Sequence, residues 1–212
     1  MDGLLVDSEP VWTVAERELF ASWGVGFTPE MKSAMVGLRM DAAVPVMIGL
    51  GAPGSAGATA DEVSQWLLRR MAELFAADLP LLPGVLDLLS AAHRAGIPQA
   101  LVSSSYRLLV DAALAGVPGH PFTVAVAGDE VMHGKPDPES YLLAASRLGV
   151  NPRQCIVLED TPTGARAGAA AGATVVYCPS VEGAGEAEQG WHRVPSLARV
   201  SLANLRGWVP GS

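Results

Sequence analysis

Four groups of residues in this chain carry side chains suited to handling a charged oxygen. Asp2-Gly3 opens the sequence, with Asp7-Ser8-Glu9-Pro10 close behind. Ser103-Ser104-Ser105 follow an apolar run, Lys135 sits within Gly134-Lys135-Pro136-Asp137-Pro138, and Glu159-Asp160 end the run Cys155-Ile156-Val157-Leu158. A serine hydroxyl and free backbone N–H groups at a helix start form an anion site, although serines in that position also serve as plain helix N-caps. A lysine ammonium is a compact charge that suits a phosphate oxygen, and equally a solvated surface group. Two adjacent carboxylates at the end of a buried strand are costly without a cation or several donors. Mg²⁺ answers that need with oxygen ligands, while a helix N-cap at Asp160 or Thr161 is the structural alternative.

The elements that must position these groups fall into two regimes. Residues from about 8 to 80 read as helices. Ser8 caps a first helix that Pro10 starts, with Trp12, Ala15, Leu19 and Trp23 on one face and Gly24 at its end. Thr28-Pro29 opens a short second helix, and Thr59 with Glu62 forms a capping box for a long one through Trp66, Leu67, Met71 and Leu74. The uncharged stretch Ala42 to Ala60, with its four glycines and two prolines, reads as a loop rather than a membrane span.

From about residue 83 the pattern changes to alternating strands and helices. Strands are expected over Ile97 to Ser103, Val124 to Ala127, Cys155 to Leu158 and Ala173 to Tyr177. Helices are expected around Val85 to Ala92, Leu108 to Ala112, Tyr141 to Leu148 and Gly164 to Ala171, and an exposed loop from Val181 to Gly190. This alternation implies right-handed crossovers and a parallel sheet, whose ligands bind beyond the carboxyl ends of the strands. Each chemical group after Asp2 falls at such an end or on the loop just after one.

The 212 residues, half of them apolar and 17% charged, suit a sheet covered on both faces. A net charge of −8 argues against a nucleic-acid partner. Cys155 and Cys178 are read as buried free thiols in a reducing compartment, and no signal peptide is recognised, so a cytoplasmic protein is expected.

The order of the groups resembles the haloacid dehalogenase-like superfamily, and the likeness covers nearly the whole chain. MDGLLVDSEPVW, LLPGV, LVSSS, GKPDPESYL and VLEDTPTGARAGAAAGA are similar to its phosphatase and β-phosphoglucomutase-like branch. GLRMD at 37–41 and PLLPGV at 80–85 look most like sugar-phosphate phosphatases of the 2-deoxyglucose-6-phosphatase or hexitol-phosphatase type. The resemblance implies an α/β protein with a Rossmann-like parallel sheet core (1–7 and 81–212, first strand missing) and an inserted helical cap (8–80).

By motif position the resemblance makes Asp2 a general acid/base, Ser103 and Ser104 phosphate-binding residues and Lys135 the charge that holds the phosphoryl group. Asp160 and Glu159 become Mg²⁺ ligands together with the backbone carbonyl of Asp2, and Arg39 a substrate contact on a lid loop. The implied partner is a small phosphorylated sugar or sugar alcohol, the implied protein a monomer without membrane or nucleic-acid contacts. A β-phosphoglucomutase-like transfer within a hexose, or an inactive phosphate-binding protein, are the alternatives.

The resemblance also implies an attacking aspartate two positions before Asp2, hence one before Met1, at the end of an apolar strand. Four or five buried apolar residues of such a strand contribute roughly 6–15 kcal/mol, which is about the whole stability of a domain. A chain starting at Met1 is therefore expected to be poorly folded and inactive, and the natural protein to carry a short upstream segment.

Overall fold

The computed structural model describes residues 1–117, 119–180 and 187–209. The chain forms two compact units, one of Ser8–Asp78 and one of Met1–Asp7 with Leu79–Ser212. All the described strands lie in the second unit, and no helix among the described residues is long and apolar enough to cross a membrane.

The helical unit holds α1 (Glu9–Ser22), α2 (Pro29–Met35), α3 (Met40–Leu50) and α4 (Ala60–Ala77). Its starts follow the sequence signals closely. Thr28 accepts the Met31 N–H, and Thr59 and Glu62 form the expected capping box. Ser8 differs: it is buried, its backbone is already helical and its side chain makes no cap bond. The stretch expected to be a loop from Ala42 is instead helical as far as Leu50, despite Pro45. Burial of Ala43, Val44 and Met47 outweighs the hydrogen bond that proline removes. The glycine-rich turn follows only from Gly51. Lys32 reaches back to Glu9 and Glu16 at 2.6 and 2.8 Å, and Arg70 grips Glu18, tying α2 and α4 to α1.

The α/β unit contains α5 (Val85–Arg94), β1 (Gln99–Val102), α6 (Arg107–Ala115), β2 (Phe122–Val126), α7 (Glu139–Leu148), β3 (Ile156–Glu159), α8 (Pro162–Ala170), β4 (Thr174–Tyr177), β5 (His192–Arg193) and α9 (Leu202–Trp208). Every strand pair is parallel: β1 with β2, and β3 with β4 and then β5. Among the described residues no strand joins these two sheets. The α/β class with parallel strands matches the sequence reading, although the short β5 and α9 were not foreseen. Of the expected loop from Val181, residues 181–186 lie outside the described residues.

Helix α7 packs on β1 and β2, and α8 packs on β3 and β4. Gly168 lets α8 approach β3 closely, since a β-carbon there would press on Val157. Both cysteines are free; Cys178 is buried, but Cys155 stands half-exposed just before β3 rather than inside it.

The turn after β2 is held by one carboxylate. Glu130 accepts the Ala127 N–H at 2.8 Å and a hydrogen bond from Arg107, with Arg147 at 3.7 Å. The Ala127 N–H, followed by the Arg107 guanidinium, holds the Glu130 carboxyl below the ordinary glutamate value of 4.5. A depressed folded-state value means stability that is present above about pH 4.5 and lost as pH falls through the folded value. Glu130→Gln is therefore expected to destabilise the protein by about 1–2 kcal/mol at pH 7. In urea melts across pH, the gap between parent and variant should close below about pH 4.5.

Candidate active site

The chemical groups of the α/β unit other than Asp2 gather at one rim because each ends a strand or lies on the loop after one. β1 runs into Ser103, whose N–H bonds the Val126 carbonyl and extends the β1–β2 pairing by one residue. The chain then turns sharply, and Tyr106, still extended, is the N-cap of α6. Within the turn Ser103, 4% exposed, accepts the Ser105 N–H at 3.1 Å, which leaves its own hydroxyl proton available. Ser104 is exposed, and Gly128 after β2 lies so close that a β-carbon would overlap the Ser104 carbonyl.

Ser105 reaches across to the first loop. Its hydroxyl donates to Asp2 Oδ2 at 2.7 Å, while Asp2 Oδ1 is buried without a partner. Asp2 therefore has one oxygen fixed and one free. The adjoining Gly3 adopts φ +68° and touches the opposite side of the rim, because a β-carbon there would collide with Asp160 Oδ2 and Ser180.

Lys135 is carried by the loop between β2 and α7, whose Lys135–Pro136 bond is cis. Glu139 orders that loop by accepting the Met132 and His133 N–H groups at 2.9 and 2.8 Å. The His133, Asp137 and Glu139 ligand atoms lie near one another, but Glu139 is engaged in this way and Asp137 accepts the Glu139 N–H. The Lys135 ammonium projects inward to three acceptors: Glu159 Oε1 at 2.5 Å, the Tyr141 hydroxyl at 3.0 Å and the Val102 carbonyl at 3.5 Å. It thus links the ends of β1 and β3, one from each sheet.

Glu159, the last residue of β3, is 6% exposed. Its Oε1 takes Lys135 and Tyr141, and its Oε2 lies 3.3 Å from Thr161. Burial alone would raise its pKa, but the charge and hydrogen bond of Lys135, with help from Tyr141, hold it below the ordinary value. Gly164 in the first turn of α8 makes room, since any β-carbon would occupy the space of that carboxylate. Thr161, not Asp160, is the N-cap of α8. Asp160 lies outside the helix with Oδ2 bonded to Ser180 at 2.9 Å, and burial, with the Glu159 charge beside it, pushes its pKa up. Burial and the same Glu159 charge push the Tyr141 phenol well above its usual value, so the hydroxyl keeps its proton and donates.

Asp2, Ser103, Lys135, Glu159 and Asp160 are thus linked along one rim through short contacts of their own or of chain neighbours, while Ser104 is exposed in the serine turn between Ser103 and Ser105. Arg39 belongs to the helical unit, where it is exposed at the start of α3 with Asp41 at 3.6 Å. Three members of the rim network, Ser105, Tyr141 and Ser180, were given no role of their own in the sequence. Ser105 was visible only as the third of three serines, and Tyr141 only as one position on an apolar helix face.

Lys135→Met leaves the Glu159 carboxylate buried and unpaired, so a loss of about 3–5 kcal/mol is expected in chemical denaturation. Lys135→Met combined with Glu159→Gln should recover much of that loss, because no uncompensated charge remains.

Residues 1–172 match the family model for haloacid dehalogenase-like hydrolases. Hexitol phosphatase B of Escherichia coli (strain K12) is 32% identical over 184 residues, 86% of this chain and 82% of that protein. Fructose-1-phosphate phosphatase YqaB of the same strain is 33% identical over 178 residues, 83% of this chain and 92% of that protein. The crystal structure of CbbY from Rhodobacter sphaeroides in complex with phosphate superposes with a TM-score of 0.82 at 28% identity, covering 97% of this chain and 96% of that one. With the family model spanning most of its length, this chain belongs to the haloacid dehalogenase-like hydrolases.

Proposed function

We propose that this chain hydrolyses the phosphate monoester of a small sugar or sugar alcohol. The observation that carries the reading is the rim itself. A carboxylate with one free oxygen, a serine turn, a buried ammonium and a second carboxylate converge where a parallel sheet binds ligands. The sugar-phosphate phosphatases among its relatives support the choice of substrate class.

In this reading Lys135 holds a phosphoryl oxygen, and the Ser103 hydroxyl and the N–H groups of the serine turn, Ser104 included, bind the others. An aspartate attacks phosphorus and the bond to the sugar oxygen breaks, giving an aspartyl-phosphate. Asp2, held by Ser105 through Oδ2, gives a proton to the departing sugar oxygen and then takes one from the water that hydrolyses the intermediate. The free Oδ1 is the atom suited to that proton traffic.

The donor set fits Mg²⁺. Asp160 is a desolvated carboxylate whose pKa is raised, and the backbone of the Asp2–Gly3 loop lies against it, so only oxygen donors are offered. Asp160 and the Asp2 carbonyl would hold the ion, whereas Glu159, with both oxygens engaged, stands behind Lys135 as its counter-charge. When bound, Mg²⁺ supplies positive charge against the phosphoryl oxygens.

The test is phosphate release from a panel of hexitol, hexose and pentose phosphates. It uses the 212-residue chain and the same chain preceded by an apolar segment ending in aspartate. The extended protein is expected to release phosphate in the presence of Mg²⁺, and Asp2→Asn to reduce the rate about 10²–10⁴-fold. No release from any sugar phosphate by the extended protein would overturn the function, and interconversion of hexose phosphates without release would replace it with a mutase. Release by the 212-residue chain alone would mean that the attacking group lies within these residues.

A further inference from the structure

We propose that Tyr141 is a positioning residue for phosphate binding, acting through its hydrogen bonds to the Lys135 ammonium and the Glu159 carboxylate. The inference rests on the reading of this rim as a phosphate site, and deepens it.

A lysine ammonium carries three protons. At Lys135 two are taken closely, by Glu159 Oε1 at 2.5 Å and the Tyr141 hydroxyl at 3.0 Å. The third has only the Val102 carbonyl at 3.5 Å, a long contact. Val102 immediately precedes Ser103, so the loosely held proton is the one nearest the serine turn. A phosphoryl oxygen there would replace the weakest of the three partners and leave the other two in place.

The Tyr141 hydroxyl makes this arrangement selective in two ways. As an acceptor from Lys135 it fixes the rotation of the ammonium and so decides which proton is left over. As a donor to Glu159 Oε1 it withdraws charge from the carboxylate that competes with a phosphoryl oxygen for the same ammonium. Without the hydroxyl, Glu159 would hold the ammonium more strongly and the free proton would have no fixed direction. The ring plays a separate part, with the ammonium 4.7 Å from its centroid, and a phenylalanine would keep that contact.

The test measures inorganic phosphate binding by calorimetric titration in the presence of Mg²⁺, for the parent, Tyr141→Phe and Leu143→Ala. Leu143 lies on the same helix and serves as a packing control. Tyr141→Phe is expected to weaken phosphate about fivefold, the size of one modest hydrogen bond. Leu143→Ala should lower the melting temperature and leave phosphate affinity where it was. Unchanged or tighter binding by Tyr141→Phe overturns the proposal, as does an equal loss in Leu143→Ala, which would mark a general effect of loosening α7. If Tyr141→Phe is poorly folded, the comparison is repeated in sucrose, which favours the compact state, and equal affinities there overturn the proposal. A parent that binds no phosphate overturns the phosphate-site reading and this proposal with it. A parent that binds phosphate alongside an equally tight variant overturns only the role of Tyr141.

Discussion

The rim depends on an ion pair taken almost wholly out of water. Lys135 and Glu159 have side chains 9% and 7% exposed, and neither would be stable there alone. Such a pair needs its remaining valences filled, and the chain fills them from three elements. Tyr141 comes from α7, the Val102 carbonyl from the end of β1, and Thr161 from the cap of α8. The requirement to satisfy two buried charges thus dictates where a loop, two strand ends and two helices must sit. It also joins the carboxyl ends of two sheets that no described strand connects.

Close backbone approach completes the rim. Gly3 brings the first loop against Asp160, and Gly128 brings the turn after β2 against Ser104. The Ser103–Ser105 turn is therefore pressed from one side by Gly128 and held on the other by the hydrogen bond to Asp2. The serines and the two aspartates form a set whose spacing is fixed by close main-chain approach together with one side-chain hydrogen bond.

Much of this was legible in the sequence, and the failures have physical causes. Thr28, Thr59 and Glu62 signalled helix starts correctly because capping is local. Each of the four chemical groups has an ordinary local explanation, a helix cap or a solvated charge, and it was their order along the chain that pointed to a common site. The helix from Met40 was missed because Pro45 and the following glycines speak locally for a loop, while the burial of Val44 and Met47 that overrides them is a tertiary fact. Helix α9 did carry a signal, the Ser201–Asn204 capping pair, in a tail otherwise without strong periodicity. The hydroxyl of Tyr141 was invisible for another reason. A tyrosine in a helical stripe reads as packing, and only the placement of Lys135 and Glu159 on either side of it turns the phenol into a polar joint.

Gly164 shows how far this economy of space reaches. Its missing side chain is the room in which the Glu159 carboxylate lies, at the first turn of α8. A neutral methyl group introduced there would evict an anion and leave the Lys135 cation facing an empty socket. A residue with no charge and no functional group therefore governs the electrostatic balance of the rim through volume alone.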